Sequence, residues 1–323
     1  MTRWYSFPCK IQELQLSITL VCGQSFRWRE SSPGLWTNVL EGKLWTLRQD
    51  DSAVYYTVTD PDDASDALGS VTHLEAGDFS KHACSESDDK YEAVLRDYFQ
   101  LDRANLTALY EHWGTADPNF RKVAVDFAGV RILRQDPVEN LFSFICSSNN
   151  NITRISGMVE KLCSEYGKKL LECGGIDYYS FPSVKSLAGE GVEDRLRELG
   201  FGYRAKYIAQ TASYIAENHS ELWLYSLRDR PYLEAKAELM KLCGVGAKVA
   251  DCVCLMSLDK SGAIPVDTHV WQIAAASYMP QLKQKKSLTD STYQEIGNFF
   301  RDLWGDYAGW AHSVSVLFCL QAQ

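Results

Sequence analysis

Two residues, about a helix and a loop apart, stand in surroundings that could do chemistry: Lys248 and Asp267. Lys248 lies in Leu242-Cys243-Gly244-Val245-Gly246-Ala247-Lys248-Val249-Ala250-Asp251, and Asp267 closes Pro265-Val266-Asp267. Leu233, Ala237, Met240 and Leu242 form a helical stripe before the glycines, and Val249, Cys252, Val253 and Met256 form another after them. The spacing predicts two short helices meeting at a Gly-x-Gly turn, where no side chain blocks the approach of another backbone. The free N–H groups at the start of the second helix readily take a phosphate. In that first turn the helix dipole disfavours an ammonium, so the Lys248 pKa is expected to fall and its amine to gain nucleophilicity. Asp267 follows Pro265 and precedes the apolar run Val270, Trp271 and Ile273, which makes it a good N-cap. A Gly-x-Gly hairpin alone is often only a tight turn, and a lone lysine is often just solvated. Hairpin, amine and Pro-x-Asp together are far more specific.

The elements that position these residues come in two kinds. Residues 1–60 read as β: Leu35–Leu40, Lys43–Leu47 and Val54–Val58 alternate with period two, and Gly42 and Asp50-Asp51-Ser52 supply the turns of an antiparallel meander. Gly23-Gln24-Ser25-Phe26-Arg27-Trp28 stands just before it. Residues 60–89 are polar and acidic and read as a flexible excursion. Helical periodicity starts at Tyr91, Val94, Leu95 and Tyr98 and runs almost to the end, with Asp136-Pro137 as an N-cap and first-turn proline. The expected fold is α+β: an antiparallel N-terminal sheet domain over 1–125 packed on a mostly helical domain over 126–323, with the helix–hairpin–helix at about 232–258.

Composition sets limits. A chain of 323 residues, 46% hydrophobic and 12% aromatic, can bury a large core. It contains no run of about eighteen apolar residues, so no transmembrane helix is expected. Met1–Thr19 shows neither a basic region leading into an apolar core nor an Arg-rich amphipathic stretch, so an intracellular protein without a presequence is expected. The ten cysteines show no metal-ligand spacing and are expected to be reduced, half-buried thiols. The net charge of −9 argues at first against a nucleic-acid partner. Nine acids between Asp60 and Lys90, against Lys81 and Lys90, put −7 of it in the acidic excursion and leave −2 elsewhere. A nearly neutral remainder is compatible with a few phosphate contacts.

Two polar junctions add to this. Asn149-Asn150-Asn151 separates two helices with Arg154 just beyond, and Gly202-Tyr203-Arg204 sets an aromatic beside a guanidinium. An asparagine amide suits a base edge, and the planar guanidinium offers five donors. Together with the Gly-Gln-Ser-Phe-Arg-Trp segment, Arg134–Pro137, Leu141–Ile152, Leu199–Ala205, the Lys248 hairpin, Pro265–Asp267 and Gly297-Asn298-Phe299-Phe300-Arg301, they resemble the eukaryotic 8-oxoguanine DNA glycosylases of the helix–hairpin–helix, Gly/Pro-Asp superfamily. The similarity is strong from about Arg134 to Ala311, moderate over 1–60 and absent through the acidic excursion.

The resemblance implies roles. Lys248 would attack C1′ of the damaged nucleoside, displace the base and form a Schiff base, with elimination on the 3′ side nicking the strand. Asp267 would stabilise positive charge at the sugar and assist proton transfer. Gly23, Cys252, Asn150, Ile152, Met256, His312 and Phe318 would line the base pocket, the Gly23 carbonyl accepting from the N7–H that 8-oxoguanine has and guanine lacks. Asn149 would fill the space left by the flipped base and Tyr203 would bend the duplex. Arg154 and Arg204 would bond the orphaned cytosine, while His269, Gly244, Gly246 and Val249 would hold phosphates. The implied partner is duplex DNA with 8-oxoguanine opposite cytosine, bound by a monomer in the nucleus, with a mitochondrial form also open. Neither metal nor cofactor is implied; only Cys319 follows Cys254, so the iron–sulfur cluster of related branches has no ligands here. The rival readings are a glycosylase for another damaged base and a non-enzymatic helix–hairpin–helix DNA-binding module.

The last helix departs from the pattern. The family carries Gln after Trp-Ala and a phenylalanine four residues later; here Trp310-Ala311 is followed by His312, and Phe318 lies six residues beyond that. Six residues turn a helix by about 600°, so the two cannot share a face as an i,i+4 pair does. Three registers are open: Phe318 stacks with Val314 replacing Gln, His312 reads the base edge with Val316 replacing Phe, or a bulge restores both. The first is favoured, for the contact area of the aromatic ring.

Overall fold

A computed structural model describes residues 3–62 and 89–321, the side chains of 89 and 318–321 excepted. The flexible excursion expected at about 60–89 therefore lies almost wholly outside the described residues. The chain opens with β1 (Tyr5–Pro8), α1 (Leu16–Thr19), β2 (Arg29–Ser32), β3 (Leu35–Leu40), β4 (Lys43–Gln49) and β5 (Ala53–Thr59). They form one antiparallel sheet in the order β1-β5-β4-β3-β2. The three strands legible from alternation are its centre. The short edge strands β1 and β2 were not anticipated, since four residues carry too little pattern to read.

Trp45 and Leu47 point to the same face as Val54 and Tyr56, and all four are buried there with Leu95, Phe99 and Leu133. Leu95 comes from α2 (Asp89–Tyr98), the first helix of the second layer. The helices α3 (Leu106–Ala116), α4 (Pro118–Ala124), α5 (Pro137–Cys146) and α6 (Ile152–Tyr166) follow. Asp136 caps α5 by accepting from the N–H groups of Val138 and Glu139, with Pro137 in the first turn. That helix is buried from Asn140 to Cys146 and forms the centre of the helical layer.

After α6 the chain makes a two-stranded ribbon, β6 (Lys169–Cys173) and β7 (Ile176–Tyr179), turned at Gly174-Gly175. The sequence reading places no strand in this nearly all-helical part, and the ribbon departs from it. A Gly-Gly pair favours a tight two-residue hairpin and opposes helix.

The remaining helices are α7 (Val184–Leu187), α8 (Val192–Glu198), α9 (Arg204–Asn218), α10 (Trp223–Ser226), α11 (Tyr232–Leu239), α12 (Ala247–Ser257), α13 (Thr268–Ser277), α14 (Asp290–Trp304) and α15 (Ala308–Gln321). The hairpin is α11–α12. The stripe expected on α11 is not its buried face: Leu233 is 73% and Met240 47% exposed, while Ala235 and Leu239 are buried. Tyr232 and Lys236 share that inner face and both bond the buried Asp251 of α12, at 2.7 Å each. A polar anchor, rather than the apolar stripe, turned the helix. Among the described residues no helix is long and apolar enough to cross a membrane.

Candidate active site

The turn before α12 depends on glycine for two reasons. Gly244 has φ +78°, and a Cβ there would lie 2.5 Å from the Tyr207 ring. Gly246 begins α12 without a capping side chain, and the first helical bond runs from Ala250 N–H to its carbonyl. The N–H groups of Ala247, Lys248 and Val249 therefore have no partner within the helix. The Val249 side chain is buried, so its backbone alone could meet a phosphate.

Lys248 reaches inward from this first turn, its Nζ 5.2 Å above the Phe144 ring of α5. One turn on, burial pushes the Cys252 thiol up to about 11, opposed by the charge and hydrogen bond of Lys248. Asp267 caps α13: its Oδ1 accepts from His269 N–H and Val270 N–H, each at 3.0 Å. Neither capping bond uses Oδ2.

His312 completes the group. Burial pushes its pKa down to about 4, with Asp267 raising it and Lys248 lowering it. Neither ring nitrogen has a hydrogen-bond partner among the described residues. The seat of α15 puts it there: Gly309 N–H donates to Ser261 O at 2.9 Å, and a Cβ on Gly309 would lie 2.4 Å from the Ala263 carbonyl. His312 follows one turn later. Val314, about 200° further round the helix, is fully buried in the helical core. The sequence favours Val314 on the pocket side; here Val314 packs in the helical core, His312 feels the charges of Lys248 and Asp267, and the half-buried Val316 follows it by one turn. The Phe318 side chain lies outside the described residues.

In the loop before the sheet, Gly23 meets Ile152; a Cβ at Gly23 would sit 3.3 Å from Ile152 Cδ1. Gln24 fixes this loop. Its amide donates to Arg131 O at 2.8 Å and accepts from Leu133 N–H at 3.0 Å, and its carbonyl accepts from the Gln135 amide at 2.9 Å. Gln135 N–H in turn donates to Met256 O at 2.8 Å, two turns beyond Lys248. Met256 itself is buried in the helical core. The Asn150 amide donates to Cys146 O at 2.9 Å.

A third group lines an open groove of Ser148, Tyr203, Tyr207, Gly244 and Gly246 beside the hairpin. Asn149 stands exposed at its edge with φ +47°, a conformation asparagine tolerates better than most residues. Arg204 holds it there: buried, it donates to the carbonyls of Ser148 and Asn149. Tyr203 O–H donates to the same Ser148 carbonyl at 3.0 Å. Arg204 thus acts inside the protein in this structure, whereas Arg154 is exposed. His269 is half-buried in the first turn of α13.

Residues 6–141 match the family model of the 8-oxoguanine DNA glycosylase N-terminal domain, and 142–298 that of the HhH-GPD superfamily base excision DNA repair proteins. An N-glycosylase/DNA lyase OGG1 of Arabidopsis thaliana is 37% identical over 99% of this chain and 81% of its own length. The chain belongs to the 8-oxoguanine DNA glycosylase family. The N-glycosylase/DNA lyase of Saccharomyces cerevisiae is 36% identical over 94% of this chain and 82% of its own length. Among solved structures, the 8-oxoguanine glycosylase/lyase of Clostridium acetobutylicum, bound to duplex DNA with cytosine opposite 8-oxoguanine, superposes with TM-score 0.77 at 28% identity, covering 96% of this chain and 93% of that one.

Sequence reasoning missed three supporting residues of this glycosylase: Gln24, Gln135 and Phe144. The one local signal was a glutamine leading into Ser25-Phe26-Arg27-Trp28, a polar residue entering a stretch that is buried. Among the described residues no group of His, Cys, Asp and Glu could hold a metal ion.

Proposed function

We propose that this chain excises 8-oxoguanine from duplex DNA in which the lesion faces cytosine, with Lys248 as nucleophile. The chain is a base-excision-repair enzyme of the N-glycosylase/DNA lyase type. The observation that carries the assignment of roles is the meeting of Lys248, Asp267, Cys252 and His312 at the uncapped head of α12. The damaged base is turned out of the stack, at an unpairing cost of about a few kcal/mol. The Lys248 amine then bonds to C1′ as the bond from C1′ to the base breaks, and the opened sugar becomes a Schiff base. Loss of a C2′ proton expels the 3′ phosphate and nicks the strand. Asp267 stabilises the positive charge that develops at the sugar through Oδ2, the oxygen its cap leaves over.

Recognition divides over two surfaces. The Gly23 carbonyl separates the lesion from guanine, since the lesion offers N7–H where guanine offers a repelling lone pair. His312, a neutral imidazole with both nitrogens unengaged, contributes one donor and one acceptor to the base edge. Asn149, Tyr203 and Arg154 take the gap and the opposite strand, and the free N–H groups of α12 with His269 take phosphates.

The test is a duplex panel with 8-oxoguanine opposite each of the four bases, scoring base release and nicking separately, with borohydride trapping alongside. Release fastest opposite cytosine, with a trapped adduct, is the expected result. Binding without an adduct would instead make the chain a non-enzymatic DNA-binding module.

A further inference from the structure

Three residues after Lys248, α12 carries a carboxylate that the mechanism above does not use. Asp251 is completely buried, and a buried carboxylate is costly unless donors surround it. Three do. The Tyr232 hydroxyl lies 2.7 Å from Oδ1, the Lys236 amine 2.7 Å from Oδ2 and the Tyr293 hydroxyl 2.5 Å from Oδ2. Tyr232 and Lys236 belong to α11 and brace the hairpin. Tyr293 belongs to α14 and reaches a different place.

A phenol has one proton and two acceptor lone pairs. The Tyr293 proton goes to Asp251, its shortest contact, and the same oxygen accepts Val266 N–H at 3.2 Å. The Ile264 carbonyl lies 3.2 Å from it as well. Burial, with the Asp251 carboxylate beside it, holds this phenol far above its ordinary pKa, so it stays a donor. Pro265 has no N–H, so Val266 supplies the one backbone donor between Ile264 and Asp267.

We propose that Tyr293, braced on Asp251, is a positioning residue: it ties Ile264–Val266 to α12 and so sets Asp267 against Lys248. The inference rests on the assignment of Lys248 and Asp267 as the catalytic pair. One hydroxyl bonds the helix that carries the first and the segment that delivers the second. A displacement of about 1 Å between reacting groups can cost roughly a hundredfold in rate.

Two substitutions separate positioning from packing. Tyr293→Phe and Tyr232→Phe each remove one hydroxyl from the same carboxylate and keep the ring, but only the first releases Val266. Similar drops in Tm are expected for both. Tyr293→Phe should slow single-turnover base release about ten- to hundredfold at unchanged lesion Kd, while Tyr232→Phe keeps the wild-type rate. Equal rate losses in both, or a Tyr293→Phe rate within about twofold of wild type, would overturn the proposal. If Tyr293→Phe does not fold, Asp251→Asn decides. It deprives Lys236 of its counter-charge and lowers Tm, yet its amide oxygen still accepts from Tyr293, so the rate should stay within about fivefold of wild type. A rate loss beyond that would overturn the proposal too. A wild-type chain that leaves no borohydride adduct would overturn the catalytic assignment itself, a result distinct from all of these.

Discussion

Lys248 and Asp267 stand at helix starts, whereas His312 stands in the second turn of α15 and reaches the site only because that helix is docked. Gly246 leaves the head of α12 uncapped, and Asp267 caps α13 with its own carboxylate. Both helix starts are local chemistry. His312 instead depends on Gly309 lying against the backbone of Ser261 and Ala263. On the proposed roles, the groups that react and the group that reads the base are held by different devices. On those proposed roles, a histidine can stand where the family pattern has glutamine without disturbing the amine.

Substitutions can break or sharpen that contrast. The largest effect belongs to Lys248→Gln, expected to cut base release and nicking by about a thousandfold or more and to abolish the borohydride adduct. Lesion Kd should hardly change, and a persisting adduct would remove Lys248 from its role. Asp267→Asn keeps a competent cap but loses the charge. Single-turnover release should fall about a hundredfold with little change in Tm, and matched losses in both would show that the carboxylate serves only the helix.

At the reading end, His312→Ala should weaken lesion affinity by about 1–3 kcal/mol, the usual size of a base-edge contact. Val314→Ala, its neighbour on the core side, should cost on the order of 2 kcal/mol of stability and leave affinity alone. Were Val314→Ala the variant that loses affinity, α15 would be in the other register. Arg154→His should narrow the preference for cytosine over adenine opposite the lesion by roughly tenfold, since the exposed Arg154 has no structural work to lose. An unchanged ratio would confine it to phosphate binding.

The smallest effect is one of pH. The folded chain refuses a proton at His312 until about pH 4, while the unfolded chain takes it near 6.5. Stability therefore falls as pH drops through that window and recovers above it. His312→Gln should flatten the slope of Tm between pH 4 and 7; an identical slope would assign the loss to other groups.

Much of this was legible because it is written at short range. Period-two alternation marks β3 to β5, Asp136-Pro137 and Pro265-Val266-Asp267 announce their helix starts, and Gly244-Val245-Gly246 announces the hairpin. The ribbon at Gly174-Gly175 was missed because strands of five and four residues carry too little alternation to read. The inner face of α11 was misread for another reason. Leu233 and Met240 advertise an apolar stripe, but a buried carboxylate on another helix outbids it, and no periodicity within α11 carries that information.

By itself, then, the sequence determined which residues begin helices and which can react, because capping, turn geometry and side-chain chemistry act over three or four neighbours. Only the tertiary structure decided that His312 feels the charges of Lys248 and Asp267 while Val314 packs in the core, that one Arg204 nitrogen donates to the carbonyls of Ser148 and Asn149, and that Tyr293 stands between Asp251 and Val266. Those outcomes depend on how whole helices rotate and dock. A rotation of about 100° per residue makes the facing side chain hinge on contacts made far away in the chain.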